Sequence, residues 1–171
     1  MSLYFQATLT RVWAPTGQTP IIKISPQREH IHFYGALDLM NGREVAVTAL
    51  EQTAHVTADF MRLLLMLFPA DHLLLLLDRA AWHSGPEIDQ LLADNPHLEL
   101  MYFPPACPDL NPQEHVWEQA RDARSHNHTY RSFPPLIDDF ETFLNETPFD
   151  IAIPSPIIRR GGRQVQAHCP N

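Results

Sequence analysis

The chain has 171 residues, of which 44% are hydrophobic, and its formal net charge of −8 corresponds to an isoelectric point near 5.6. This length predicts one domain with a sizeable core, and the acidic balance argues against a large DNA-binding surface, because neutralising phosphates requires clustered lysine and arginine. The two cysteines, Cys107 and Cys169, make neither a disulfide framework nor a zinc site, so we expect free thiols in a reducing compartment. The longest apolar run, residues 63–68, is far shorter than the roughly 20 residues of a membrane span. We therefore expect a soluble, cytoplasmic protein with no membrane partner.

The amino-terminal third is rich in residues that favour strands. Residues 3–13 predict a strand whose upstream half is missing, and residues 20–25 predict a short extended segment. Residues 31–39 and 43–50 flank Asn41-Gly42, the dipeptide typical of tight hairpin turns. We therefore predict a β-hairpin here.

Two helices are predicted in the middle of the chain. Residues 53–68 end before Pro69 and repeat apolar side chains with helical spacing at positions 56, 60, 63, 64 and 67. Residues 84–95 have Ser84 as a candidate N-cap and Pro96 as a stop, with an apolar side formed by Ile88, Leu91 and Leu92.

The leucine run at residues 73–77 predicts a strand buried on both faces, with Asp78 at its carboxyl end, where open α/β sheets bind ligands. Residues 98–103 predict the next strand. A proline-rich loop then leads to a helix start at residues 111–114, with Asn111 as N-cap, Pro112 at the first helical position and Glu114 at the third. Two carboxylates so placed are suited to a divalent cation.

A last helix is predicted over residues 133–145, with an inner side formed by Leu136, Phe140, Phe143 and Leu144. The order of elements predicts an α/β fold with one mixed sheet that has helices on its faces and residues 73–77 as an interior strand. We assign residues 1–147 to this domain and residues 148–171, rich in Pro, Gly and Arg, to an irregular tail.

Each acidic residue also has a simpler explanation when it is taken alone. Asp78 is also suited to capping the turn that follows its strand, and Glu114 is also suited to a capping box with Asn111. Asp38 is the upstream acid that could replace a missing ligand, but it lies beside the Asn-Gly turn and is better explained as a hairpin residue. His126 and His128 are better explained as exposed loop residues than as metal ligands.

The segments LDRAAWH and FPPACPDLNPQEHVW resemble the second and third acidic blocks of the DDE transposases of the mariner-like superfamily and its bacterial insertion-sequence relatives. Upstream, RVWAPTGQTP and HFYGALDLMNGREV also resemble that family, so the resemblance extends from residue 3 to residue 145. It implies a ribonuclease H-like fold and a metal-dependent nuclease and strand transferase that acts on transposon ends.

The resemblance also assigns residues. Asp78 matches the second catalytic Asp and Glu114 the catalytic Glu, and both are then ligands of Mg²⁺ or Mn²⁺, as expected of hard carboxylate oxygens. We expect three residues to support the site: His83, Asn111 and Trp117. From their charge alone, and not from the resemblance, we expect Arg121, Arg124 and Arg131 to contact the DNA backbone. The implied partners are transposon-end DNA and a second copy of the chain.

The family carries its first catalytic Asp, in an Asp-Glu pair, just before the segment that here reads SLYFQATLTRVW, and Met1 comes too late to include it. We therefore expect the printed chain to be inactive by itself, as a fragment with an incomplete first strand. Two alternatives remain open. One is a domesticated or decayed remnant that acts as a dimerisation or regulatory module, and the other is a different ribonuclease H-like nuclease.

Overall fold

The structure, a computed structural model, describes residues 1–7, 15–17, 21, 29–105 and 111–150. The described residues divide into two compact units, one within Met1–Leu50 and Gln113–Asp150 and the other within Glu51–Pro112. The strands are β1 (Ser2–Tyr4), β2 (His30–Leu37), β3 (Glu44–Ala49), β4 (Leu73–Leu77) and β5 (Leu98–Tyr102). The α-helices are α1 (Ala54–Leu67), α2 (Pro86–Asp94), α3 (Pro112–Ala120) and α4 (Phe133–Glu146).

The first unit is built on an antiparallel sheet in the order β1-β2-β3. Helix α4 packs on one face of this sheet through aromatic side chains, with Phe33 and Phe140 ring centroids 5.1 Å apart and those of Phe5 and Phe133 5.6 Å apart. All four rings are buried. This aromatic layer is the core of the unit, because large rings bury the most apolar area per residue.

The predicted hairpin is confirmed, but its connection is longer than a tight Asn-Gly turn. The strands β2 and β3 pair from Leu37↔Glu44, so the connection is the six residues between them. Asp38 Oδ1 accepts a hydrogen bond from Met40 N at 2.8 Å, and Gly42 has φ +70°. A side chain at Gly42 would overlap the carbonyl of Phe149, so the position requires glycine for space as well as for conformation.

The free edge of β3 is covered by a side chain from α4. Asn145 Oδ1 accepts from Ala46 N at 2.9 Å and Asn145 Nδ2 donates to Ala46 O at 3.0 Å, so one amide satisfies both backbone groups of an edge residue. Unpaired backbone groups on an edge strand are both costly and prone to pairing with other chains.

We predict that Asn145→Ala lowers the free energy of unfolding by about 1–3 kcal/mol, because it removes both hydrogen bonds at a partly buried site. The measurement is urea unfolding followed by far-UV circular dichroism. Thr142→Ala, an exposed substitution on the same helix, is the matched control. Equal loss in the two variants would contradict the proposed edge role of Asn145.

The second unit pairs β4 and β5 in parallel, with Leu73↔Leu98 and Leu77↔Tyr102 in register. Helices α1 and α2 cover one face of this pair through a core of buried residues: Ala58, Met61, Ile88, Leu91 and Leu98.

The prediction of one mixed sheet with β4 as an interior strand is wrong for the described strands. They form a three-stranded and a two-stranded sheet, and β4 pairs only with β5. Leu74 is 50% exposed and Met101 is 53% exposed, so the leucine run is not buried on both faces. Successive side chains of β4 and β5 point to opposite faces of this sheet. One face packs against α1 and α2, and within this unit no described element covers the other face.

The helix boundaries were predicted closely, while two details differ. Thr53 caps α1 by accepting from Val56 N. Leu67, one of the apolar positions that predicted this helix, is 51% exposed because the buried face is centred on Thr57, Met61 and Leu64. Gly85, not Ser84, is the N-cap of α2, since the Ser84 hydroxyl donates instead to Ala81 O.

Of the strand predicted over residues 3–13, the described part gives β1 at Ser2–Tyr4, and residues 5–7 are not in a strand. Several predictions lie outside the described residues: the strand beyond residue 7, most of the segment 20–25, both cysteines and the tail from residue 151. Among the described helices, none combines the length and the apolar character that crossing a bilayer demands.

Candidate active site

Asp78 directly follows β4 and is held by the turn that it begins. Its Oδ1 accepts a hydrogen bond from Ala80 N at 3.0 Å and lies 2.7 Å from His83 Nδ1. The Asp78 side chain is 53% exposed, whereas that of His83 is 17% exposed. Both contacts use Oδ1, and the described residues bring no hydrogen-bond donor to Oδ2. The carboxylate is therefore oriented but still open to a cation on its other oxygen.

The end of the neighbouring strand braces this turn. Tyr102 OH donates to His83 O at 2.8 Å, and Arg79 Nε donates to Phe103 O at 3.1 Å. The Arg79 guanidinium also lies 5.8 Å from the centre of the Tyr102 ring. The loop that holds Asp78 is thus tied to Tyr102, the last residue of β5, and to Phe103 directly after it, which restricts the directions that the carboxylate samples.

Glu114 lies in the first turn of α3, and the helix begins at Pro112, as predicted. The side chain of Glu114 is exposed. A carboxylate in a first turn is favoured by the unpaired N–H groups and the dipole of the helix. Trp117, one turn further, is only 4% exposed and anchors the helix to its unit. The capping role of Asn111 remains a prediction.

The two candidate ligands belong to different compact units, Asp78 to the second and Glu114 to the first. Within residues 1–7, 15–17, 21, 29–105 and 111–150, no group of three or more His, Cys, Asp or Glu side chains is arranged to hold a metal. A hard cation such as Mg²⁺ is usually held by one or two carboxylates together with substrate phosphates, so each of these exposed side chains is of the type that such a cation binds. That they face one cleft remains a prediction.

Glu44, at the start of β3, is a functional candidate that the sequence did not reveal. It is 4% exposed, and its Oε1 accepts a hydrogen bond from Gln113 Nε2 at 2.6 Å. No described residue offers a hydrogen-bond partner to Oε2. Burial raises the pKa of the Glu44 carboxyl to about 8, although the Gln113 hydrogen bond and the terminal ammonium of Met1 act to lower it. This acid therefore lies beside the residue that precedes Glu114.

The three arginines predicted to contact DNA have different surroundings. Arg124 Nε lies 3.2 Å from Asp139 Oδ2, and the guanidinium stacks 4.7 Å from the centre of the Phe143 ring. Arg121 Nη1 lies 3.9 Å from the sulfur of Met1, while Arg131 is exposed. Arg131 is thus the most accessible of the three, and Arg124 is already committed to an ion pair.

The two histidines that follow α3 have protein partners. The helix continues as a π-helix over Arg121–Ser125, which the sequence did not predict. After it, His126 Nδ1 lies 2.6 Å from Asp122 Oδ1, and His128 Nε2 lies 2.9 Å from Phe5 O. These contacts support a structural explanation of the pair, although both rings are less exposed than we expected.

The sequence is similar to a known protein family and to two bacterial proteins. A family model described as DDE superfamily endonuclease matches residues 5–137. The uncharacterized protein y4pE/y4sA of Sinorhizobium fredii is 36% identical over 66 residues, which are 39% of this chain and 46% of that protein. The uncharacterized 39 kDa protein of insertion element IS630 from Shigella sonnei is 24% identical over 139 residues, 80% of this chain and 40% of that protein. The chain thus spans less than half the length of these relatives.

Solved structures with a similar fold are complexes of a transposase. The Mos1 transposase paired-end complex with the left transposon end has a TM-score of 0.64 at 13% identity, covering 84% of this chain and 45% of that chain. The Mos1 mariner paired-end complex with Mn gives 0.63 at 12% identity, covering 86% and 47%. At such identity the likeness concerns the fold, and the predicted ribonuclease H-like α/β class is confirmed.

Proposed function

The chain belongs to the DDE superfamily endonucleases, and on that basis we propose that it is the catalytic domain of a DNA transposase, with Asp78 and Glu114 as two of its metal ligands. One observation supports this assignment most directly. Asp78 stands at the carboxyl end of β4 with Oδ1 fixed by Ala80 N and His83 Nδ1, which leaves Oδ2 for a cation. A surface aspartate that only capped a turn would not need the histidine.

Divalent cations supply the activation of water or a 3′-hydroxyl and the stabilisation of the leaving oxygen in phosphodiester cleavage and strand transfer. In this proposal Asp78 and Glu114 hold Mg²⁺ or Mn²⁺ through hard carboxylate oxygens. His83 orients Asp78, while Trp117 fixes the helix that carries Glu114 and Asn111 caps its start. Ligands of a metal in proteins are commonly oriented by such hydrogen-bonded neighbours.

We further propose that the substrate is transposon-end DNA, bound by an oligomer of the full-length protein. The Mos1 structures contain paired transposon ends, which supports this partner by similarity of fold. The net charge of −8 means that segments other than this domain supply most of the DNA affinity. Within this domain, Arg131 and Arg121 are the better candidates for backbone contacts, because Arg124 would have to leave Asp139.

No Asp precedes Asp38 in the printed sequence, and Asp38 uses its carboxylate to hold the hairpin turn at Met40 N. A site with only two of three acids leaves each cation one protein carboxylate. We therefore propose that the printed chain has no nuclease activity of its own. By the extended chain we mean residues 1–171 preceded by the family's first strand with its Asp-Glu pair, read from the frame upstream of Met1.

The test compares three proteins on one labelled duplex in Mn²⁺: the printed chain, the extended chain and the extended chain with Glu114→Ala. We expect nicking only by the second. No nicking by a folded extended chain would reject the proposed enzyme and favour the decayed remnant that serves as a dimerisation or regulatory module. Nicking by the printed chain that Asp38→Ala abolishes would show that Asp38 is the first acid.

A further inference from the structure

The buried position of Glu44 destabilises the fold, because burial of a carboxyl group without full hydrogen bonding costs free energy. Its only described hydrogen bond is the one that Oε1 accepts from Gln113, while Oε2 has no hydrogen-bond partner among the described residues. An apolar side chain of similar size would fill the same volume without this cost. What the carboxyl group adds is a directional contact with the second residue of α3.

The space around that contact is tightly filled. An added side-chain carbon at Gly35 would overlap both Glu44 Oε1 and the Trp117 ring. Gln113 and Trp117 are four residues apart and so lie on the same side of α3. Gly35 therefore leaves the space in which the Glu44 carboxyl and the Trp117 ring lie. These two contacts hold one side of α3 against β2 and β3 at two successive turns.

We propose that Glu44 is a positioning residue for Glu114: its hydrogen bond to Gln113 fixes the rotation and the height of the first turn of α3, and with them the direction of the exposed Glu114 carboxylate. This inference rests on the proposed function, since it takes Glu114 as a metal ligand. Glu44 itself is not a ligand, because it is buried and its bonded oxygen faces the Gln113 amide. Neighbours that orient a ligand typically change metal affinity by roughly 10–100-fold when they are removed.

The experiment uses two substitutions of similar volume in the extended chain. Glu44→Met fills the site but removes the acceptor, whereas Glu44→Gln keeps an acceptor for Gln113 Nε2. We expect Glu44→Met to raise the Mn²⁺ concentration for half-maximal nicking roughly tenfold, and Glu44→Gln to leave it within twofold of wild type. Amide hydrogen exchange at residues 115–118, the first donors of intrahelical hydrogen bonds in α3, should accelerate several-fold in the printed chain with Glu44→Met alone.

Thermal unfolding of both variants separates positioning from folding. A purely structural role predicts a lower melting temperature with an unchanged Mn²⁺ requirement, and this result would overturn the proposal. So would an unchanged Mn²⁺ requirement and unchanged exchange in Glu44→Met. If the wild-type extended chain shows no Mn²⁺-dependent nicking, the proposed function fails and this inference fails with it. If wild type nicks and Glu44→Met matches it, only the inference fails.

Discussion

Asp78→Asn in the extended chain should lower Mn²⁺-dependent nicking by about 10³-fold or more, because a metal ligand contributes several kcal/mol to the transition state and each 1.36 kcal/mol is a factor of ten. The substitution is conservative in structure. An asparagine still offers Oδ1 to Ala80 N, which donates to Asp78 Oδ1 in the wild type. What it removes is the negative charge on the oxygen left open to the cation. The measurement is initial nicking rate at fixed Mn²⁺, with the melting temperature as a test of folding.

The matched control is Asp71→Asn, an exposed aspartate in the same unit just before β4. It should change the nicking rate by less than twofold, since it alters net charge by the same amount at a position without a proposed role. If Asp78→Asn keeps its rate within tenfold of wild type while remaining folded, Asp78 is a turn residue and its assignment as a ligand is wrong.

The positions of both candidate ligands were predictable because their signals are local. Five consecutive leucines followed by Asp78 specify a strand and its end, and the structure places β4 at Leu73–Leu77. Pro112 at the first helical position specifies the start of α3, which puts Glu114 in the first turn. Neither signal depends on distant residues. The distance between the two carboxylates depends on residues far apart in the sequence, and only the family resemblance predicts that they share a site.

The sequence did not reveal Glu44 as a buried residue, because the alternating pattern of β3 indicates that Glu44 is on the exposed face. Strand β3 alternates Val45 and Val47 with Glu44 and Ala46, and alternation of this kind predicts that the valine side is buried. In the structure Glu44 and Ala46 are the buried pair, since α3 and α4 cover their face. One signal was available: Gly35, two residues before Leu37 on the paired strand, marks a close approach of another element.

The sheet prediction failed for a similar non-local reason. A leucine run predicts burial on both faces only if strands and helices surround it. Here β4 pairs with one described strand, and α1 with α2 supply one helical layer, which leaves Leu74 half exposed. The hairpin connection is also longer than the Asn-Gly dipeptide predicts, because the Asp38 backbone closes a turn with Gly42 and Arg43 while its side chain accepts from Met40 N.

The raised pKa of Glu44 also predicts how the free energy of unfolding depends on pH. Burial, the largest cause, raises the pKa of its carboxyl from 4.5 to about 8 in the folded chain. Between these values the unfolded chain releases the proton that the folded chain retains, so the unfolded state binds fewer protons and the free energy of unfolding falls as pH rises. Its contribution is therefore fully present below pH 4.5 and is lost by about pH 8.

Glu44→Gln should remove this dependence, because glutamine stays neutral at every pH while keeping the acceptor for Gln113. We expect wild type and variant to be about equally stable near pH 4.5 and the variant to be more stable at pH 8.5 by about 5 kcal/mol, since each unit of pKa shift is worth about 1.36 kcal/mol. Urea unfolding of both chains at half-unit steps measures the difference, and subtraction removes the titration of the histidines they share. Glu118→Gln, at an exposed position on α3, should give a curve parallel to wild type. A Glu44→Gln curve that also runs parallel to wild type would mean that the carboxyl is solvated in the folded protein, and the buried contact with Gln113 would then be wrong.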